Sequence, residues 1–141
     1  MQCAGQVRLQ AIDRLADFVQ HNTSLCHSQV QQLFDHLEPR LSDSNVKVNL
    51  RALETLQQII PHLAGSLDGV LLELVRVIAS TIASSNRQVQ LLGGAALDTL
   101  FGWTDKANMI IAMTAAITHG NQRVKTSLLD KLTEVVHEVS S

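Results

Sequence analysis

The stretch Ser42-Asp43-Ser44-Asn45-Val46-Lys47-Val48 decides how the chain is read. Turn-forming residues run directly into an amphipathic segment, and Ser, Asp and Asn are the residue types that satisfy the free N–H groups of a helix's first turn. The pattern returns as Ala83-Ser84-Ser85-Asn86-Arg87-Gln88-Val89, and again as His119-Gly120-Asn121-Gln122-Arg123-Val124-Lys125. Each copy places a basic residue between an Asn and a Val at the start of a helix.

Outward from these turns, apolar residues keep helical spacing. Upstream, one helix is predicted over about 5–21, with Val7, Ile12, Leu15, Ala16 and Val19 on a stripe and Leu9 and Phe18 beside it. A second is predicted over about 24–41, with Leu25, Val30, Leu33, Phe34, Leu37 and Leu41 inward and a kink or early stop at Pro39. The helix after the first marked turn carries Val48, Ala52, Leu53, Leu56, Ile59, Ile60 and Leu63, with a bend at Pro61 and Gly65 as a left-handed cap. A fourth helix, about 67–84, buries Val70, Leu71, Leu74, Val75, Ile78 and Ile82.

The fifth, ending near Phe101, buries Val89, Leu92, Ala96, Leu97, Leu100 and Phe101. It contains Gly93 and Gly94, whose cost in a helix is about 1 kcal/mol each and which imply close approach of a neighbour. Gly102 to Asp105 then reads as a turn in which Trp103 lids the core or meets a partner. A sixth helix covers about 106–119, and a seventh carries Val124, Leu128, Leu129, Leu132, Val135, Val136 and Val139. No segment sustains the alternation of a strand.

Val7, Val48 and Val89 recur at a step of 41 residues, and Leu15, Leu56 and Leu97 share that step. Val124 follows Val89 after 35 residues, an offset that also relates Leu132 to Leu97. A period near 40 built of two helices is the HEAT or armadillo signature. The expected fold is therefore an all-α HEAT-repeat solenoid of about seven helices stacked as antiparallel pairs, each repeat burying its face on its neighbours.

Composition agrees. The 141 residues suit one domain, 45% are hydrophobic but only 3% aromatic, and Leu, Ala, Val and Ile supply the core. The net charge of -2 provides no basic field for nucleic acid. No apolar run is long enough to span a bilayer, and Cys3 and Cys26 form no disulfide framework. His21, Cys26 and His27 lack the spacing of a zinc site, Gly93-Gly94 lacks the Lys of a phosphate loop, and the acidic residues are scattered. No cofactor, metal or catalytic constellation is expected, and the chain is read as a non-enzyme.

In a stacked array equivalent turns line up along one edge. That edge would carry Lys47, Arg87, Arg123 and Lys125, with Arg8 one repeat earlier and Arg51 a turn further in. A cation in a helix's first turn opposes the macrodipole by about 0.3–1 kcal/mol. A row of cations over exposed helix N-termini suits an anionic partner, although solvated side chains on a polar rim account for it equally.

The segment Asp43-Ser44-Asn45-Val46-Lys47-Val48, followed by Leu50, Ala52, Leu53 and Leu56, resembles the second tubulin-facing turn of a TOG domain, the HEAT-repeat module of microtubule regulators. Ser84 to Val89 and Gly120 to Lys125 resemble the next two turns. Gly120 to Lys125 with Leu129-Asp130-Lys131-Leu132, and Arg14 to Phe18, are most similar to the crescerin type, the TOG-array regulators of axonemal microtubules.

The resemblance implies one TOG-like domain over 1–141, either reduced or part of a larger array protein. It implies a monomeric module that binds acidic tubulin or microtubules through Arg8, Lys47, Arg87, Arg123 and Lys125. It also implies a cytoplasmic, cytoskeletal location at a cilium or centrosome. The first turn, Met1 to Gln6, departs from the family by lacking its aromatic anchor. The alternative is a HEAT scaffold that binds a protein or peptide without binding tubulin.

Overall fold

The helix that follows the first marked turn organises the molecule. Asn45 caps it, and Val48, Ala52, Leu53, Leu56, Ile59, Ile60 and Leu63 are all buried along it. Burial of a large aliphatic side chain stabilises by about 1.5–3 kcal/mol, so this helix anchors the core from one end to the other. The computed structural model describes residues 3–140, apart from the side chains at 135 and 138–140. The inward positions expected for Val135 and Val139 lie outside the described side chains.

Among the described residues the chain forms α1 (Ala4–His21), α2 (Thr23–Ser28), α3 (Val30–Leu41), α4 (Val46–Leu63), a 3-10 turn (Asp68–Val70), α5 (Leu71–Ile82), α6 (Arg87–Trp103), α7 (Lys106–His119) and α8 (Gln122–Ser140). It is an all-α helical repeat solenoid with no strand among the described residues. The first layer is α1, α4 and α6 in sequence, with α8 tied to α6 through Lys131 and Asp98. The second layer is α3, α5 and α7, and each of its helices packs on the next first-layer helix: α3 on α4, α5 on α6, α7 on α8. Those three pairs are the hairpins closed by the repeated turns.

Several local expectations change. The predicted second helix is broken at Gln29, whose backbone (φ -128, ψ 30) is not helical and whose N–H donates to Cys26 O at 3.0 Å. Pro39 and Pro61 lie inside α3 and α4. Each lies two residues before its helix ends, which agrees with the early stop expected at Pro39. Gly65 does adopt the positive φ (91°) expected of it. The predicted start of the fourth helix is the 3-10 turn, with α5 proper beginning at Leu71.

Trp103 is the last residue of α6 rather than part of a turn, and it is 50% exposed. Val7 keeps the helical register of Val48 but is 51% exposed, and Leu25, Leu129 and Val136 are likewise exposed. The physical reason is position in a one-dimensional stack: helices at its two ends have a neighbour on one side only.

Candidate partner interface

Asn45 Oδ1 accepts from Lys47 N at 3.0 Å and Val48 N at 3.4 Å. Asn86 Oδ1 accepts from Gln88 N at 3.0 Å and Val89 N at 3.1 Å. Asn121 Oδ1 accepts from Val124 N at 3.0 Å. The repeated Asn is therefore the N-cap of α4, α6 and α8, meeting donors that the helix itself leaves free. Val48, Val89 and Val124 are buried, so folding accounts for the Val as well. The basic residue between them serves neither purpose.

The residue two before the cap is also shared. Asp43 Oδ1 accepts from Asn45 N at 2.9 Å, and Ser84 Oγ accepts from Asn86 N at 3.1 Å. Both close the small side-chain turns typical of these residue types.

The turns form one edge. Gly5 of α1 approaches Asn45 so closely that an added Cβ would stand 2.8 Å from Asn45 Nδ2. The turn at 42–46 and the turn at 84–86 line a common cleft, and Ala83 shares another with Gln122 and Arg123 of α8. The order along the edge is the start of α1, then the caps of α4, α6 and α8.

Lys47, Arg87 and Arg123 are exposed, and Lys125 is half-buried. Among the described residues none of the four forms an ion pair. Arg87 makes only a long hydrogen bond, Nη1 to Gln90 Oε1 at 3.4 Å.

Arg8 differs. It follows Val7 as Asn49 follows Val48, so it occupies an inward register rather than that of Lys47. Its Nε lies 2.8 Å from Asp43 Oδ2, without hydrogen-bond alignment, and its Nη2 donates to Oδ1 at 3.3 Å. Arg40 Nη1 donates to Oδ2 of the same carboxylate at 3.1 Å. The Asp43 side chain is only 6% exposed, so this carboxylate latches the start of α1 and the end of α3 to the first turn. Arg51 is similarly engaged, donating to both Asp13 oxygens at 2.6 and 2.9 Å, and this partner raises its pKa further.

The latch was not legible as such. The Asp-Ser-Asn spacing signals the local turn, but only the packing of α1 beside α3 brings two guanidinium groups to Asp43. Its effect is to consume the one carboxylate in the marked turns.

A second charged cluster sits elsewhere, on α3 and α5. Arg76 pairs with Glu73, and its Nη2 is 3.6 Å from Glu38. Desolvation, with Glu73 beside it, raises the Glu38 pKa to about 7, whereas the hydrogen bond from Arg76 lowers that of Glu73 to about 2. Among the described residues, no three His, Cys, Asp or Glu are grouped to hold a metal, and no helix is long and apolar enough to cross a membrane.

No protein-family model matches the chain. It is 26% identical over 133 residues to mouse "TOG array regulator of axonemal microtubules protein 1". The human protein of that name is also 26% identical over 133 residues.

The chain is a partial homologue of this regulator.

The match covers 94% of the chain but only 8% of each relative's length. With the helical repeat fold, it is consistent with a TOG-like domain near the crescerin type. Both relatives are named as microtubule regulators rather than as enzymes.

Proposed function

We propose that residues 1–141 act as one TOG-like, non-catalytic unit whose edge of capped turns binds tubulin or microtubules. The observation that carries this is the row of cations, Lys47, Arg87, Arg123 and Lys125, which form no ion pair among the described residues and lie over helix N-termini on one side of the stack. Their like charges, the helix dipoles and the remaining free N–H groups all favour an anionic surface. Arg8 belongs to the same edge, with its charge offset by Asp43. The unit works as a monomeric module within a longer cytoskeletal protein, and the relatives' axonemal name supports the cilium as its setting.

Exposed charge pairs are screened by salt, so binding weakens as ionic strength rises. The test is size-exclusion chromatography with tubulin at low ionic strength, comparing the wild type with Lys47→Glu/Arg87→Glu. Co-elution of the wild type and its loss in the variant are expected. Equal co-elution of both would remove these residues from the site.

A further inference from the structure

Two hydroxyl groups in the marked turns take no part in holding those turns together. In the turn before α4, Asp43 closes the bend and Asn45 caps the helix; before α6, Ser84 and Asn86 do the same. Ser44 and Ser85 stand between these residues, 41 positions apart and so in one register of the repeat. Both are exposed. Among the described residues, neither the N–H nor the hydroxyl of either Ser takes part in a hydrogen bond.

The setting of both is cationic. Lys47 follows Ser44 by three residues, and Arg87 follows Ser85 by two. Asp43, next to Ser44, has its charge offset by Arg8 and Arg40. A cleft of about 330 Å³ runs between the two turns, and Ser44, Ser84 and Asn86 are in its lining, so a larger group on Ser44 has room. The third turn departs from the pattern. Gly120 holds the position 35 residues after Ser85 and has no hydroxyl.

We infer that Ser44 and Ser85 are phosphorylation sites for a protein kinase that selects cations on the C-terminal side of its target Ser, and that their modification switches the edge off. In the reaction the Ser oxygen attacks the γ-phosphorus of ATP. The bond from that phosphorus to the β,γ-bridging oxygen breaks and releases ADP, and the hydroxyl proton passes to the kinase's base. Each phosphate carries about -1.5 to -2 charge at pH 7. Two of them outweigh Lys47 and Arg87 and turn this part of the edge from basic to acidic, which repels an anionic partner. The site stands on the turns themselves, whereas its effect rests on the proposed tubulin edge.

The first test uses the full chain, ATP and the catalytic domain of protein kinase C, with mass spectrometry to place the phosphate. Phosphate at Ser44 and Ser85 is expected, with incorporation about fivefold lower or more in Ser44→Ala/Ser85→Ala. That variant loses no hydrogen bond and should bind tubulin as the wild type does. No phosphate at either Ser, or undiminished incorporation in the variant, would overturn the assignment.

The second test installs phosphoserine at both positions during synthesis and measures tubulin binding at low ionic strength. Binding about tenfold weaker or more than in the unmodified chain is expected. Phosphoserine at Ser24, exposed on α2 at the opposite edge, should leave binding unchanged. Melting temperatures confirm that each form folds. Full binding by the doubly modified chain, or equal weakening by the Ser24 form, would overturn the switch. No binding by the unmodified chain would remove the switch together with the tubulin reading, and the kinase test alone would then decide the site.

Discussion

Gly93 and Gly94 stand side by side in α6, yet the packing around them sets opposite outcomes for the same substitution. An added Cβ at Gly94 meets nothing within 4 Å. Gly94→Ala should therefore express the helix propensity of Ala alone, about 0.8–1.0 kcal/mol of added stability. For a domain of this size that raises the melting temperature by about 2–5 °C.

At Gly93 the Cβ would run into Thr81 Oγ1, stand 3.1 Å from Thr81 Cβ and lie 3.2 Å from the backbone N of Ile82. Thr81 has little freedom to yield, because it is buried and its hydroxyl donates to Ile78 O at 2.7 Å. Overpacking of this kind costs about 1–3 kcal/mol. Set against the same propensity gain, Gly93→Ala should range from neutral to about 2 kcal/mol destabilised.

Since both sites share the propensity effect, the gap between the variants isolates the α5–α6 contact. Urea denaturation of the two variants measures it from the midpoints at constant slope. Thr81→Ala should recover part of the loss in the Gly93→Ala background, as a coupling between touching residues. Equal stabilisation by both substitutions would refute the close approach of α5 and α6 at this point.

Asp43→Ala should cost about 1–3 kcal/mol, because it removes the largely buried carboxylate that Arg8 and Arg40 share, whereas Asp13→Ala, at an exposed pair, should cost under about 1 kcal/mol; chemical denaturation compares them. Asn86→Ala removes two cap bonds and should destabilise by about 0.5–2 kcal/mol, with Asn45→Ala behaving alike in thermal melts.

The Glu38–Glu73 pair should give stability a pH profile with two slopes. Glu38 has a folded pKa near 7, above its usual 4.5, so the folded state holds an extra proton and stability falls as pH rises from about 4.5 to 7. Glu73, held near 2, contributes stability above its usual 4.5 that is lost as pH drops towards 2. Melting curves across pH 4–8 should show the upper slope flatten in Glu38→Gln, and an unchanged slope would exclude Glu38 as its source.

Much of this molecule follows from local pattern. The 3.6-residue stripes determine where helices lie, and the 41-residue step determines that they stack, because an apolar stripe that recurs at a fixed interval can be buried only by the next copy of itself. The Asn of each marked turn is readable for the same reason: the cap bonds to N–H groups two and three residues ahead, all within one short segment. Gly65 and its positive φ belong to this class too.

Tertiary structure decided what depends on residues distant in the chain. Val7 and Val48 share a register in the repeat, but one is exposed and the other buried, because only Val48 sits on a helix flanked on both sides. Arg8 and Lys47 both read as edge cations. Packing brings Asp43 of the turn before α4 to Arg8, at a separation of 35 residues, and leaves Lys47 in solvent. Periodicity specifies which face a side chain occupies. Which charges are consumed internally, and which remain for a partner, is set by the neighbours that the stack places against that face.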